Sequence, residues 1–102
     1  MTQRILFIVR RQYYDAMLSG VKTWEARRAS KRWLTMCYEP VPEIAVIMCG
    51  RLIHRRRIIG TDLYLSRDGF EREFLGRPCS EQERADIGDG AVVVFHLREM
   101  MP

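Results

Sequence analysis

The sequence predicts a mainly β domain with short helices, an α+β fold in which about five or six strands form a small barrel. The chain has 102 residues, which suits a single domain over residues 1–102 and is too short for two stable cores. Its apolar runs are of strand length, and a strand–helix–strand succession occurs only once, at the start. A doubly wound parallel sheet needs longer helices between its strands, so a mixed or antiparallel barrel fits better.

Hydrophobic periodicity and turn residues divide the chain into short elements. The predicted strands are residues 5–10, 22–28, 43–49, 58–66 and 91–98. The predicted helices are residues 12–19, 68–75 and 80–85. Gly20 suits the left-handed conformation that often follows a helix, and Ser80 begins a capping-box pattern. Residues 29–36 fit a loop or one helical turn, residues 39–42 an extended Pro-rich stretch, and residues 50–57 a basic connection between strands.

Composition excludes several classes of protein. Hydrophobic residues make up 47% of the chain and charged residues 29%, which indicates a globular protein and not a disordered one. No apolar run approaches the ~18 residues that a membrane span needs, and the N-terminus lacks the apolar stretch of a signal peptide. We therefore expect a cytoplasmic protein that has no membrane partner.

Positive charge is concentrated in the first half of the chain. Lysine and arginine number 17 against 13 acidic residues, and 15 of the 17 are arginine. Residues 1–57 hold 12 basic and four acidic side chains, whereas residues 58–102 hold five basic and nine acidic ones. Such an asymmetry can focus anionic ligands on one face, and guanidinium suits phosphate and stacks on bases. A high genomic GC content would also raise the arginine count, and folding can bring the two halves together.

The cysteines and histidines do not predict a metal site. Cys37, Cys49 and Cys79 are odd in number and include no CxxC pair, and without a secretory signal we expect reduced thiols. Together with the two histidines they have no recognised zinc-ligand spacing. The chain also lacks a P-loop, a nucleophile elbow and a dinucleotide fingerprint, so we predict no cofactor.

The most informative segment is Gly20-Val21-Lys22-Thr23-Trp24-Glu25-Ala26-Arg27, which has the pattern GxKxxExR after a short amphipathic helix. Glu25 and Arg27 lie about 6–7 Å apart on one face of the predicted strand. Lys22 and Arg27 suit a phosphate or a carbonyl, Glu25 can accept hydrogen bonds from a base edge, and Trp24 offers a stacking surface. Strict alternation places Lys22 opposite Glu25, so a shared site needs a bend near Lys22 or a contribution through the long, flexible lysine side chain. The alternative is a solvated strand face with ordinary salt bridges.

This segment resembles the ASCH domain, a member of the PUA-like superfamily, in its pattern hydrophobic-x-SGxKxxExR. Looser matches over residues 5–9, 58–65 and 91–97 extend the resemblance to nearly the whole chain. The resemblance implies a small β-barrel with a short helix over one opening and a cleft beside that helix, where Lys22, Glu25 and Arg27 match the motif. It also implies an association with RNA, since some members process RNA or modified nucleosides.

One related branch of this superfamily hydrolyses the acetyl amide of N4-acetylcytidine. It uses a strand lysine, a threonine two or three residues further on and a separate glutamate. Lys22 matches that lysine, but the threonine position falls on Glu25, and Thr23 is out of register. This departure counts against a straightforward amidohydrolase.

Residues 51–57, Arg-Leu-Ile-His-Arg-Arg-Arg, carry four arginines and one histidine at a predicted hairpin end. Such a cluster would contact phosphates well if it lies on the same side as Arg27. The further cationic candidates for nucleic-acid contacts are Arg28, Arg51, Arg55, Arg56 and Arg57. A charged, solvated turn is the alternative interpretation.

We therefore expect a nucleic-acid-binding module, with RNA as the preferred partner, in which Lys22, Glu25 and Arg27 bind a nucleotide or a modified nucleoside. The second hypothesis is a ribonuclease or modified-nucleoside hydrolase in the same cleft. In it, Lys22 is an activated amine or electrostatic stabiliser and Glu25 is the general acid or base. The third hypothesis is a protein–protein adaptor whose basic face binds an acidic partner. The oligomeric state is left open.

Overall fold

The computed structural model describes residues 3–38 and 41–100, without the side chains of residues 37 and 38. The strands are β1 (Arg4–Ile8), β2 (Trp24–Arg28), β3 (Ile44–Cys49), β4 (Leu52–Tyr64) and β5 (Val92–Glu99). The helices are α1 (Arg11–Leu18), α2 (Lys31–Tyr38), α3 (Arg67–Phe70), which continues as a π-helical turn (Glu71–Leu75), and α4 (Glu81–Ile87). No helix in this part of the chain is both long and apolar enough to span a membrane.

The five strands form one mixed sheet in the order β1-β3-β4-β5-β2. β1 pairs with β3 in parallel, and β3 pairs with β4 in antiparallel fashion. The predicted α+β class with short helices is confirmed, and the sheet is consistent with a small PUA-like barrel. The described residues fall into two compact units, the first made of residues 3–25, 41–60 and 95–100, the second of residues 26–38 and 61–94.

Two segments of the sequence had no single predicted structure or fall partly outside the described residues. Helix α2 covers most of residues 29–36, for which a loop and a helical turn were both open. Of the predicted extended stretch 39–42, residues 39 and 40 lie outside the part of the chain that the structure describes.

The first unit has its core on one face of β1 and β3. Ile5 and Phe7 of β1 are buried, and so are Ala45 and Ile47, the residues paired with them in β3. The Phe7 ring meets the Phe95 ring edge to face, with the centroids 5.1 Å apart. The other side chains of β1 are exposed, so this continuous apolar run is buried on one face only.

A two-residue turn, Gly50 and Arg51, joins β3 to β4 between the paired residues Cys49 and Leu52. Gly50 has a φ of 59°, and a glycine of positive φ at the first turn position is typical of a type II′ hairpin. Because this turn needs only two residues, β4 begins at Leu52 and pairs with β3 through residues 52–57. The predicted basic connection over residues 50–57 is therefore wrong, and three of its arginines lie in a strand.

Helix α1 packs against β4 through two aromatic rings. The Tyr14 ring meets the His54 ring edge to face, with the centroids 4.6 Å apart. Both ring nitrogens of His54 are buried, and neither has a hydrogen-bond partner within the described residues. Burial, and then the positive charge of Arg56, lower the pKa of His54 below its ordinary value.

Aromatic residues at the end of β4 and in the helix that follows it pack together in the second unit. Phe70 is buried, its ring stacks on that of Phe74 with the centroids 5.6 Å apart, and it meets the Tyr64 ring edge to face at 5.7 Å. The predicted helix 68–75 is observed as α3 and its π-helical turn. Gly76, with a φ of 70°, ends this segment as expected of a glycine after a helix.

Helix α4 begins with the capping box that the sequence predicts. The Glu83 N–H donates to the Ser80 hydroxyl at 3.1 Å, and the Ser80 N–H donates to the Glu83 carboxylate at 2.8 Å. Arg77 donates to both carboxylate oxygens of Glu83, at 2.7 and 3.1 Å. The bond from Arg77, followed by those from Ser80, lowers the pKa of Glu83 to about 2.

Acid should destabilise the chain through Glu83. Its pKa is lower in the folded state than the ordinary 4.5, so the unfolded state binds more protons, and the free energy of unfolding falls as the pH drops from 4.5 toward 2. Urea unfolding at a series of pH values measures how the free energy of unfolding changes with pH. The slope should be steeper in the native chain than in Glu83→Gln. Glu81→Gln removes a carboxylate from the same turn of α4 and is the control. Equal slopes in Glu83→Gln and the native chain would contradict the assignment.

Protonation of His54 should lower the free energy of unfolding below neutral pH. Its pKa is lower in the folded state than 6.5, so its contribution is complete above that pH and is lost as the pH falls below it. In His54→Phe, which keeps a ring against Tyr14, the melting temperature should lose this dependence between about pH 5 and pH 7. The matched control is His96→Phe, at a half-buried position of β5. The assignment is wrong if only the His96 variant loses the pH dependence.

Candidate functional site

The turn between α1 and β2 determines where Lys22 lies. Gly20, with a φ of 84°, turns the backbone away from the helix axis, as its position predicts. The Lys22 N–H then donates to the Ala16 carbonyl at 2.9 Å, which folds the chain back onto α1. β2 begins only at Trp24, so strand alternation does not fix the Lys22 side chain. The turn supplies the bend by which Lys22 reaches Glu25.

The Lys22 ammonium has aromatic and acidic neighbours. Its Nζ lies 4.1 Å from the centroid of the Tyr13 ring and 4.3 Å from that of the Trp24 ring. It also lies 3.4 Å from Oε1 of Glu25. Cations bind favourably to the faces of aromatic rings, and more so when they are partly removed from water. The Lys22 side chain is 12% exposed. Its ammonium is therefore largely removed from water and is held by two rings and a carboxylate.

Glu25 is the charged residue that this arrangement buries. It is 5% exposed. Among the described residues, it is the one polar or charged residue that is buried. A carboxylate without a partner in such surroundings is strongly unfavourable. Lys22 supplies a partner, and the pair is therefore a structural requirement as well as a candidate for chemistry.

A cavity of about 250 Å³ lies beside the end of α1. Its walls come from the last turn of α1, the turn before β2, the end of β5 and one side chain of β4. The polar residues that line it are Ser19, Lys22, Thr23, Arg56, Arg98 and Glu99. Pockets for drug-sized ligands have volumes of about 300–1,000 Å³, so this cavity suits a single base or a phosphate with its sugar.

Arg56 reaches the cavity from β4 and holds its helical wall. Its Nη2 donates to the carbonyls of Met17 and Leu18, at 3.1 and 3.2 Å. These carbonyls belong to the last turn of α1, where regular helical bonding ends, and the Met17 carbonyl also accepts from the Gly20 N–H at 3.1 Å. A cation is also favourable at the C-terminal end of a helix. Arg56 therefore stabilises α1 and adds positive charge to the cavity wall.

The other arginines of the 51–57 segment lie elsewhere. Arg56 shares its face of the sheet with Ala45, the buried residue opposite it in β3. Because successive residues of a strand point to opposite faces, Arg55 and Arg57 lie on the face away from the cavity. Arg51 is exposed in the hairpin turn. The four arginines of this segment are thus divided among three places.

Arg27 and Arg28 belong to the second unit. The guanidinium carbon of Arg27 lies 5.2 Å from the centroid of the Trp33 ring. Arg28 is exposed and lies over Gly88, where an added Cβ would be 3.1 Å from its Nη2. The part of Arg27 and Arg28 in nucleic-acid binding stays a prediction.

Arg98 and Glu99 are cavity residues that the sequence analysis did not single out. They stand at the end of β5, and nothing in the local pattern distinguishes them from other charged residues that end a strand. The Leu97 N–H donates to the Thr23 carbonyl at 2.8 Å, and this bond brings the end of β5 beside the turn before β2. Since the contact joins distant parts of the chain, only the sheet topology reveals it.

The described residues form no cluster of metal ligands, and the Cys79 thiol is not activated. No group of three or more His, Cys, Asp or Glu side chains in this part of the chain is placed to hold a metal ion. Burial, together with the charge of Glu71, raises the pKa of Cys79 to about 11. The Cys79 thiol is therefore protonated near neutral pH and is a poor nucleophile.

Comparison with known proteins identifies the fold. No family profile and no curated protein matches the sequence. Two crystal structures do match the structure, both of single-residue variants of ZmASCH from Zymomonas mobilis. Each has a TM-score of 0.69 and 20% sequence identity, over 98% of this chain and 70% or 72% of the neighbour. The chain therefore has the fold of an ASCH domain, as the GxKxxExR segment indicated.

Proposed function

We propose that this chain binds single-stranded nucleic acid, RNA above all, and that the cavity at the end of α1 receives one base or nucleotide. The observation that carries the proposal is the Lys22 ammonium, held by two rings and a buried carboxylate at the wall of a cavity of nucleobase size. The association of ASCH domains with RNA supports the same class of partner.

The lining of the cavity suits a nucleotide in its hydrogen-bonding groups. Lys22 is a donor held in a fixed direction, and the hydroxyls of Ser19 and Thr23 can donate or accept. Because Lys22 is paired with Glu25, its ammonium acts more as a directed donor than as an uncompensated charge. An ordered donor beside small hydroxyls is what recognition of a base edge requires.

The phosphate would be held by the cations at the cavity. Arg98 is exposed, and its guanidinium is suited to a phosphate at the cavity mouth. Arg56 adds charge from the opposite wall while it holds the end of α1. Glu99 is the one acidic residue of the lining, so positive charge is in excess there.

RNA binding should depend on salt and on Arg98. An oligonucleotide of about eight nucleotides should bind with a logarithmic salt slope near −0.7 for each phosphate contacted. Arg98→Glu should weaken binding about tenfold or more, because it reverses an exposed charge at the cavity without touching the core. The matched control is Arg84→Glu, the same charge change at an exposed position of α4. Fluorescence anisotropy at several salt concentrations measures both effects.

A flat salt dependence, or equal RNA affinity in the Arg98→Glu and Arg84→Glu variants, would contradict the proposal. Lys22→Met tests the directed donor, and its melting temperature must be measured beside its affinity because Glu25 loses a partner. Since Arg98 is exposed, the Arg98 variant keeps the proposal testable even if the Lys22 variant does not fold.

A ribonuclease or modified-nucleoside hydrolase in the same cavity is the second candidate. The 3.4 Å contact between Lys22 and Glu25 favours it, because a positioned ammonium can stabilise negative charge that develops during hydrolysis. Glu25 is not among the residues that line the cavity. We therefore assign Glu25 the role of positioning Lys22, in place of the general acid or base that the sequence suggested.

Hydrolysis would be recognised by its dependence on Lys22. Cleavage of single-stranded RNA, or release of acetate from an N4-acetylated cytidine, should vanish in Lys22→Met. It should fall in Glu25→Gln with a change mainly in kcat, since that variant disturbs the ammonium and not the binding surface. Product analysis by chromatography measures both. Undiminished turnover in Lys22→Met would exclude this site as the catalytic one.

A further inference from the structure

A second surface of the first unit lies on the sheet face away from the cavity. We call it the outer face and define it by three rows of side chains that cross β1, β3 and β4. The rows are Ile8, Met48 and Ile53, then Leu6, Val46 and Arg55, then Arg4, Ile44 and Arg57. Hydrophobic side chains thus fill the first row, and arginines stand at the edges of the third. We propose that the outer face binds an acidic amphipathic helix of another protein.

The apolar part of the outer face is exposed. Ile8 is 65% exposed, Ile53 50% and Leu6 40%, while Met48 and Val46 between them are half-buried. Single exposed hydrophobic residues are common on protein surfaces, but adjacent ones on three neighbouring strands form a continuous patch. Such a patch, with polar residues at its rim, is typical of a protein interaction site.

The charge of the outer face indicates what the partner must carry. Its three charged residues, Arg4, Arg55 and Arg57, are all cationic, and none of its nine positions is acidic. A partner that covers the patch must therefore supply carboxylates near the third row. A second copy of this face has none to offer, and full overlap of two such faces would bring arginine against arginine or against the apolar row. The face therefore favours a different, acidic chain over self-association.

The dimensions of the outer face suit a helix. Three strands spaced by about 4.8 Å give a width close to 10 Å, and five residues of β1 give a length of about 13 Å. An α-helix with its side chains is about 10–12 Å wide and rises about 5.4 Å per turn. Two to three turns would cover the three rows, with apolar side chains over the first row and carboxylates over the third.

The same features disfavour RNA on the outer face. Bases bind proteins by stacking on aromatic rings or guanidinium planes, and the first row contains only aliphatic side chains and a methionine. RNA could pair with the arginines but would leave the apolar row uncovered. The outer face is thus distinct in chemistry from the cavity at the end of α1, although one strand, β4, contributes to both.

Peptide selection tests the outer face without assuming the partner. A phage-displayed library of peptides of about 16 residues, some four helical turns, would be selected on the full chain. Enriched peptides should combine apolar residues at helical spacing with an excess of Asp and Glu. Synthetic copies should bind at least about tenfold more weakly to Ile53→Glu and to Arg55→Glu than to the native chain. A copy with Lys in place of its acidic residues should regain affinity for Arg55→Glu.

The matched control for Ile53→Glu is Leu65→Glu, since Leu65 is 84% exposed and is not part of the outer face. Leu65→Glu should leave peptide affinity unchanged. The proposal is overturned if no acidic amphipathic peptide is enriched, or if enriched peptides bind Ile53→Glu and Arg55→Glu as well as they bind the native chain. It is also overturned if the chain is a dimer that Ile53→Glu dissociates, or if Arg55→Glu abolishes RNA binding.

Discussion

The burial of the Glu25 carboxylate constrains everything around the cavity. A carboxylate that is 5% exposed must have cationic or hydrogen-bonding partners, and Lys22 lies three residues before it, where strand alternation alone would point the two side chains apart. The two side chains meet because β2 begins only at Trp24 and because the backbone turns sharply at Gly20. The aromatic rings on either side of the ammonium then remove it from water without removing its charge. The position of Lys22 in the cavity wall is thus a consequence of pairing one buried charge.

Strand alternation in β4 separates two surfaces that the sequence merges. Three consecutive arginines suggest one basic patch, but the middle one faces α1 and bonds its last carbonyls. The two beside it face the opposite way, where they adjoin the exposed side chains of β1 and β3. One short run of identical residues therefore serves to hold a helix, to charge a cavity and to surround an apolar patch. The role of each arginine in this run depends on which face of β4 its side chain occupies, and that face alternates from one residue to the next.

The sequence predicts those features of the fold and of the site that depend on neighbouring residues. Gly20 and Ser80 act through their own backbone or their nearest neighbours, and the structure confirms both. The hairpin between β3 and β4 was predicted with too long a connection, because a two-residue turn leaves little trace and because charged residues seldom mark a paired strand. Arg98 was missed for a different reason, since it meets the cavity only through the bond between Leu97 and Thr23. The pairing of distant strands carries no local pattern.

Under the proposed function, the ion pair also affects which part of a nucleotide the cavity would distinguish. An ammonium whose charge is balanced by Glu25 attracts a phosphate weakly, yet its N–H donors, one of which donates to Glu25, are held in a fixed environment. An exposed guanidinium has the opposite character, because it attracts any phosphate strongly, and a phosphate contact does not depend on which base is bound. If both act on one ligand, Arg98 supplies affinity that varies with salt, and Lys22 supplies selectivity that does not. The two contributions separate because one cation is paired and buried while the other is exposed.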